Sequence, residues 1–544
     1  MAQVPGELVP GRQQPRDIEL PRSSPTPIGP RIGGQIAPQA SEGITLVLTE
    51  IDLVGNVTLT TEQLQDAWTK HIGQEISVAT LYTIANEVTQ KYAEQGYALS
   101  FAFLPEQEID SSGIVTIRVV EGYIEQAVFV GDMGSEDKPV TERIQEMTRN
   151  IVKSKPLKSQ DLERYLLLMN DFPGYKVETT FSASRTTQDA SNLIVKVTRK
   201  RFEATLSADN QLSGSLGTYR LGGSASIHGL LTDADTLTLS KNCGMWCNVY
   251  NNNSLAYSTY IGTEGWRAGM RYDRTLIKPM SGLLSVIDFT GDNENIAFDV
   301  SYPIIRGRQE NLNVGSSFSM SDNQTETFFG TLTRDKLRVL NVYGSYDYAD
   351  DKGAVNLIRA EIAQGLDIMS ATDDDDPLRS KALGSATFTN LTVSGTRDQP
   401  LGFISPALAP YSVFLSARGQ VAAGDALLSS AQCFYGGSEF GRGYDSGAVG
   451  GDHCLMASAE IRRGFFYKQL YTQAYAFMDA GAVWLKGDPG GDTSLGAQSY
   501  GIGTRLLLGR SAQADLQLAF PVRESFTSND KDTPRALFSL KWIY

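Results

Sequence analysis

The last nine residues, ALFSLKWIY (536–544), decide the fold. Successive side chains of an extended strand point to opposite sides, so Ala536, Phe538, Leu540, Trp542 and Tyr544 share one face, while Ser539 and Lys541 lie on the other. An aromatic, apolar face backed by a polar one suits a strand placed between lipid and a wet interior. The competing reading is an edge strand of a soluble sandwich.

The same texture runs backward to about Arg201. FEATLSADNQ (202–211), YRLGGSASIHG (219–229), LAYSTYIGTEG (255–265), WRAGMRYDRT (266–275), NLNVGSSFSMS (311–321), LRVLNVYGSYDYA (337–349) and ADLQLAFPVR (514–523) all alternate. Turn residues are expected to separate them at DNEN (292–295), ADDKG (349–353) and DDDDP (373–377). Repeated alternating segments of this length are the signature of a transmembrane β-barrel. Residues 201–544, at roughly 21 per strand and turn, give about 16 strands, an even number as bacterial barrels require. A barrel that wide has a water-filled interior unless something fills it.

Residues 44–200 read differently. ITLVLTEIDLVGN (44–56) alternates as a strand, and TTEQLQDAW (60–68) opens a helix with a capping box of Thr60 and Gln63. In VATLYTIANEVTQKYAEQGY (78–97), Val78, Leu81, Ile84, Val88 and Tyr92 share one helical face, and Gly96 stands where a C-terminal cap belongs. The strands ALSFAFLP (98–105) and GIVTIRVVEG (113–122) close the unit. A second unit repeats the order: strand YIEQAVFVGD (123–132), helices PVTERIQEMTRNIV (139–152) and SQDLERYLLLMND (159–171), strands YKVETTFSAS (175–184) and NLIVKVTRK (192–200). The expected plan is therefore a proline-rich linker at 1–43, α+β modules at 44–122 and 123–200, and an all-β barrel at 201–544.

Composition narrows the chemistry. Hydrophobic residues make up 41% of the 544, charged residues 20%, and no apolar run reaches the roughly 18 residues of a spanning helix. A net charge of −14 argues against a nucleic-acid footprint, which would be basic and clustered. The three histidines, His71, His228 and His453, are scattered, and no paired carboxylates, nucleophile–histidine set or metal cluster emerges, so neither enzyme nor cofactor is expected. Four cysteines fall as local pairs, Cys243 with Cys247 and Cys433 with Cys454; zinc would need further ligands nearby. Four cysteines allow three connectivities, of which the local one is preferred. Disulfides would place these segments outside the cytosol. Met1 is followed at once by polar, proline-rich sequence with no signal peptide, so the chain reads as a mature form with an added methionine, or as a truncated start.

Three stretches carry a family resemblance. FAFLPEQEIDSSGIVTIRVVEG (101–122) resembles the end of the first POTRA domain of two-partner secretion transporters, the TpsB family. GGSEFGRGYDSG (436–447) resembles their sixth extracellular loop, its motif carried by Arg442, Gly443 and Tyr444. AFMDAG (476–481) resembles their barrel-wall motif, carried by Phe477, Asp479 and Gly481. The match covers residues 44–544. It implies two periplasmic POTRA domains and a 16-stranded antiparallel barrel in the bacterial outer membrane, exporting a secreted partner protein in unfolded form. It further implies that loop 434–454 folds inward and that Arg442 pairs with Asp479 on the facing wall.

Alternation agrees that Asp479 points into the lumen, with Phe477 and Gly481, while Met478 and Ala480 face lipid. An arginine fork binds a carboxylate through two parallel hydrogen bonds, and a wet lumen would leave such a pair openable. Cys433 and Cys454, on neighbouring strands, would staple the loop's base. Gly441 departs from the family, which has a larger aliphatic residue there, so a looser tip is expected. The family's N-terminal plug helix is not expected on the proline-rich start. Phe538, Leu540, Trp542 and Tyr544 resemble the signal by which outer-membrane barrels are handed to the barrel-assembly machinery. A BamA-like insertase, which carries more POTRA domains, and a passive porin are the alternatives.

Overall fold

The computed structural model describes residues 22–24, 35–108, 112–130, 141–187, 189–468, 470–487, 492–509, 511–522 and 533–544. Most of the proline-rich segment lies outside them.

The first module splits its expected leading strand in two. β1 (Thr45–Val47) and β2 (Glu50–Val54) are separated by Leu48, which is fully buried. Around it the backbone changes partners: the Leu48 N–H donates to Gln74 O, and the Thr49 N–H to Gly113 O. α1 (Thr61–Leu64) is one turn, with the Thr60 N–H donating to the Gln63 side chain at 2.9 Å. β3 (Glu75–Ser77) pairs with β1 and leads into α2 (Val78–Glu94), capped by the Ser77 hydroxyl, which accepts from the Thr80 N–H. α2 buries Leu81, Ile84, Ala85, Val88 and Tyr92, and Gly96 ends it at φ +86°. β4 (Phe101–Phe103) and β5 (Ile114–Val120) complete a sheet in the order β2-β5-β4.

The second module holds β6 (Tyr123–Val130), α3 (Glu142–Lys153), α4 (Ser159–Asp171), β7 (Tyr175–Ala183) and β8 (Ala190–Arg199), with sheet order β6-β8-β7. Its core gathers Ile144, Met147, Ile151, Leu162, Leu166, Met169, Leu193 and Val195.

The barrel begins with β9 (Phe202–Asp209), β10 (Arg220–His228), β11 (Asp235–Gly244), β12 (Tyr250–Ile261) and β13 (Trp266–Ile277). After the short α5 (Leu283–Val286) come β14 (Thr290–Arg306), β15 (Glu310–Thr327), β16 (Gly330–Ala349) and β17 (Val355–Gly365). The short β18 (Gly384–Ser385) precedes β19 (Thr389–Pro400) and β20 (Tyr411–Ala423). Three short strands follow inside the next loop: β21 (Ala426–Leu427), β22 (Cys433–Tyr435) and β23 (Val449–Gly451). The wall then runs through β24 (His453–Tyr467), β25 (Leu470–Leu485), β26 (Thr493–Leu508), β27 (Ala512–Pro521) and β28 (Arg535–Ile543). Sixteen strands close antiparallel, with β28 pairing β9 from Ser539–Asp209 to Ile543–Thr205.

Apolar side chains alternate along the outer surface, as Leu340 and Val342 on β16, Ile358 and Ile362 on β17, and Leu540 and Trp542 on β28. DNEN is not a turn. Asp292 to Asn295 lie within β14, because β14 to β16 run well past the roughly ten residues that cross a bilayer. There the polar side chains bond across strands: Asn293 donates to Asn323 at 2.7 Å and Ser321 at 3.1 Å. DDDDP falls between strands, and so does ADDKG apart from Ala349, the last residue of β16.

The second module sits on the near end of the barrel through α4. Asp171 accepts two hydrogen bonds from Arg306, both at 2.8 Å. Arg164 donates to Glu264 O and Pro303 O, and Tyr165 donates to Glu264 at 3.0 Å. Gly265 leaves no room for a Cβ, which would meet Leu168 and Pro303 at 2.7 Å. The run Leu166, Leu167, Leu168 exceeds what one helical stripe can bury, and this second face is why.

Candidate functional site

The loop between β20 and β24 turns into the lumen. β22 and β23 pair as a small hairpin, Cys433 opposite Gly451 and Tyr435 opposite Val449. Tyr435, Phe440, Tyr444 and Val449 pack against the inner wall at Met456, Val483, Leu485 and Ala497. The tip turns through Gly436, Gly437, Gly441 and Gly447, all at positive φ.

Arg442 meets Asp479 as the resemblance implies. Its Nε donates to Oδ2 at 3.0 Å, its Nη2 to Oδ1 at 2.7 Å, and its backbone N–H to Oδ2 at 3.0 Å. Ser458 and Ser499 add hydroxyl donors to the same carboxylate at 2.7 and 3.3 Å. These serines are the register partners of Asp479 on β24 and β26, so the three form one row across the wall. The guanidinium lies 3.5 Å over the Phe477 ring, a cation–π contact that explains the motif's aromatic residue.

Three expectations need correction. First, Asp479 is not on a facing wall. The loop runs directly into β24, and Asp479 stands on β25, the next strand. Second, the pair is not wet: Arg442 is 3% exposed and Asp479 0%. Third, Gly441 does not loosen the tip. It is buried, and a Cβ there would lie 2.5 Å from the Tyr435 ring, which fills the space. The motif glycines follow the same logic. A Cβ on Gly481 would lie 2.2 Å from Tyr435, and one on Gly443 would meet Ser499 and Pro521 at 2.8 and 2.9 Å. Tyr444 anchors the far side, donating to Gln498 O at 2.9 Å.

Glu460 is a partner that sequence reading missed. Arg442 Nη1 donates to it at 2.6 Å, and Arg462 and Arg505 also bond it, at 2.7 and 2.9–3.0 Å. Arg505 continues to Asp515 at 3.2 Å. The signal was present in SAEIRR (458–463), where alternation sends Ser458, Glu460 and Arg462 inward together. Buried ions need such partners, since desolvation is otherwise uncompensated.

Both cysteine pairs are disulfides. Cys243 and Cys247 close the turn after β11, with Cα atoms 4.7 Å apart. Cys433 and Cys454 are 6.4 Å apart, but they are not on neighbouring strands: β22 pairs β23, so this bond ties the inward hairpin to wall strand β24. Phe538, Leu540 and Trp542 follow one another along β28 and Tyr544 stands one residue past its end, with Leu540, Trp542 and Tyr544 exposed. Among the described residues no group of three or more His, Cys, Asp or Glu could hold a metal ion.

The ShlB-type POTRA domain model matches residues 46–122. The heme/hemopexin transporter protein HuxB of Haemophilus influenzae is 24% identical over 509 residues, 91% of this chain and 86% of its own length. Among solved structures, CdiB from Escherichia coli shares the fold at TM-score 0.71 and 18% identity, covering 94% of each chain. BamA from Haemophilus ducreyi lacking POTRA domains 1–3 does so at TM-score 0.52 and 14% identity, covering 91% of this chain and 100% of that one. The model of the haemolysin secretion/activation protein family ShlB/FhaC/HecB matches residues 189–506, more than half the chain, and the protein belongs to that family of outer-membrane transporters.

Proposed function

We propose that this protein exports one large partner protein across the outer membrane, unfolded, through its own barrel. The two modules would stand in the periplasm and the long loops outside the cell. The observation that carries the reading is a wide closed barrel whose lumen is occupied by the chain's own loop, fastened by Arg442 to Asp479 and Glu460. A pore that must stay shut between clients needs such a removable stopper.

The modules offer the complementary half. Their sheets end on one side in β2 and in β6, and a free strand edge binds an extended chain through backbone hydrogen bonds whatever its side chains. Client folding outside supplies direction, since buried apolar surface does not return to a narrow pore. The C-terminal strand serves as the tag read by the barrel-assembly machinery, and the apolar outer face meets lipid. The insertase reading is the weaker one: the family match is to secretion proteins.

Proteoliposomes carrying the full chain test this. They should take up an unfolded exoprotein segment encoded beside it and should not speed insertion of a test barrel. Faster insertion without uptake would replace transport by assembly.

A further inference from the structure

Asp452 stands outside the Arg442 cluster, between β23 and β24, and is wholly buried. Its Oδ1 accepts from the Leu427 N–H at 2.6 Å. Its Oδ2 accepts from Lys381 Nζ and from the Lys486 N–H, both at 2.8 Å. Lys381 belongs to the loop 366–388 between β17 and β19, Leu427 to the arm leading into the inward loop, and Lys486 to the segment after β25. One carboxylate therefore ties three outer loops together.

Loop 366–388 is held at both sides. The Ser380 N–H donates to Asp335 on β16 at 2.9 Å, and the Ser380 hydroxyl accepts from the Ser429 N–H at 3.0 Å. β18 in this loop pairs with β21. Beneath it Ala371, Ala386 and Phe388 pack with Leu427 and Leu428 on Leu337, Ala363 and Ala422 of the wall. Ile362 and Val421, the neighbours of two of these wall residues, are exposed on the outer surface, so alternation places Ala363 and Ala422 inside. The loop thus lays an apolar underside into the outer lumen, while Asp373, Asp374 and Asp375 face water.

The inward hairpin is tied to β24 at its base by Cys433–Cys454, which leaves its tip to the Arg442 cluster. Loop 366–388 contains no cysteine, and its only buried ion pair is Lys381 with Asp452 among the described residues. Removing one partner of a buried pair leaves a charge with no counterpart, which makes the pair a decisive fastening for a two-position element.

We propose that loop 366–388 is a lid over the outer lumen, and that Asp452 is the positioning residue that holds it shut. The pore then has two closures in series, the Arg442 latch within and the lid outside, and the lid must lift for a client to leave. This rests on the reading that the client passes through the barrel.

Single-channel conductance of the full chain in planar bilayers tests the lid with no client present. D452N and K381M should each raise the open fraction at least about tenfold over wild type, with heat-modifiable migration of the barrel unchanged. A folded variant with wild-type conductance overturns the proposal. S380C/S429C tests the reverse while leaving Asp452 in place, which keeps the question decidable should D452N not insert. Its oxidised form should show fewer openings and less export, by at least about tenfold, and should recover with reductant. Wild type in the same reductant controls for the native disulfides. A verified cross-link with normal conductance and export overturns the lid. Altered conductance in a chain whose wild type exports nothing overturns the transport reading and leaves the lid intact.

Discussion

Gly441 lies face to face with Tyr435: a Cβ built on the glycine would stand 2.5 Å from the ring's Cε1. Gly481 presses the same ring from the wall, where its Cβ would stand 2.2 Å from Cδ2. The aromatic ring is thus clamped between the loop tip and the barrel-wall motif. Gly441 also has φ +81°, which a branched residue adopts only with strain. Gly441→Val should therefore destabilise the seated loop by about 2–6 kcal/mol, summing strain and overpacking. Hydrogen exchange across 436–448 should accelerate and the unfolding midpoint fall. Unchanged exchange in the variant would show that the loop tolerates a side chain there.

Arg442→Lys separates charge from shape. Lysine keeps the charge but has a single nitrogen, which cannot hold Asp479 through two parallel bonds while also reaching Glu460. Breaking a buried pair costs about 3–5 kcal/mol. Both Arg442→Ala and Arg442→Lys should therefore cut export strongly while the barrel still inserts, as read by secreted client against heat-modifiable barrel in the same cells. Wild-type export from Arg442→Lys would reduce the guanidinium to a simple counter-ion.

What was legible in the sequence follows from periodicity. Alternation in LRVLNVYGSYDYA and ALFSLKWIY marked wall strands because lipid and lumen demand opposite side chains, and the same rule turned Asp479 inward. DNEN was misread because turn residues and the polar tops of long strands have the same composition; only cross-strand partners such as Asn323 tell them apart. Glu460 escapes sequence reading because, beside Arg462 on its own strand, its other two arginines come from separate segments, Arg442 from the loop and Arg505 from β26. Gly441 was misjudged because a missing side chain says nothing about what fills its place, here the Tyr435 ring.

The Cys433–Cys454 bond is predicted to act on the hairpin's base rather than on the arginine cluster. Closing a loop of 21 residues is worth about 3 kcal/mol in the chain-entropy model. Replacing both cysteines by serine should raise exchange of amides near β22 and β23 and lower the unfolding midpoint. Amides beside Arg442 should stay protected, because none of the cluster's hydrogen bonds involves a cysteine. Equal loss of protection at the tip would mean that the staple, and not the ion pair, seats the loop.

The first module should carry its own pH dependence through Glu121. Burial raises its pKa, but the Thr58 hydroxyl and N–H, the Tyr92 hydroxyl and the Val57 N–H all donate to it and outweigh burial, leaving it below its ordinary value of 4.5. A carboxylate whose pKa is lower folded than unfolded binds fewer protons in the folded state. Its contribution is therefore present above the unfolded value and is lost as pH falls through the folded one. Hydrogen bonds to a charged group are worth about 1.5–3 kcal/mol, so Glu121→Gln should weaken the junction between β2 and α1 at neutral pH. With intrinsic exchange rates corrected, protection of Val57 and Thr58 should fall as wild type is acidified below about 4.5 and should stay low and level in the variant. A wild-type profile as level as the variant's would show that the carboxylate charge is not what orders this segment.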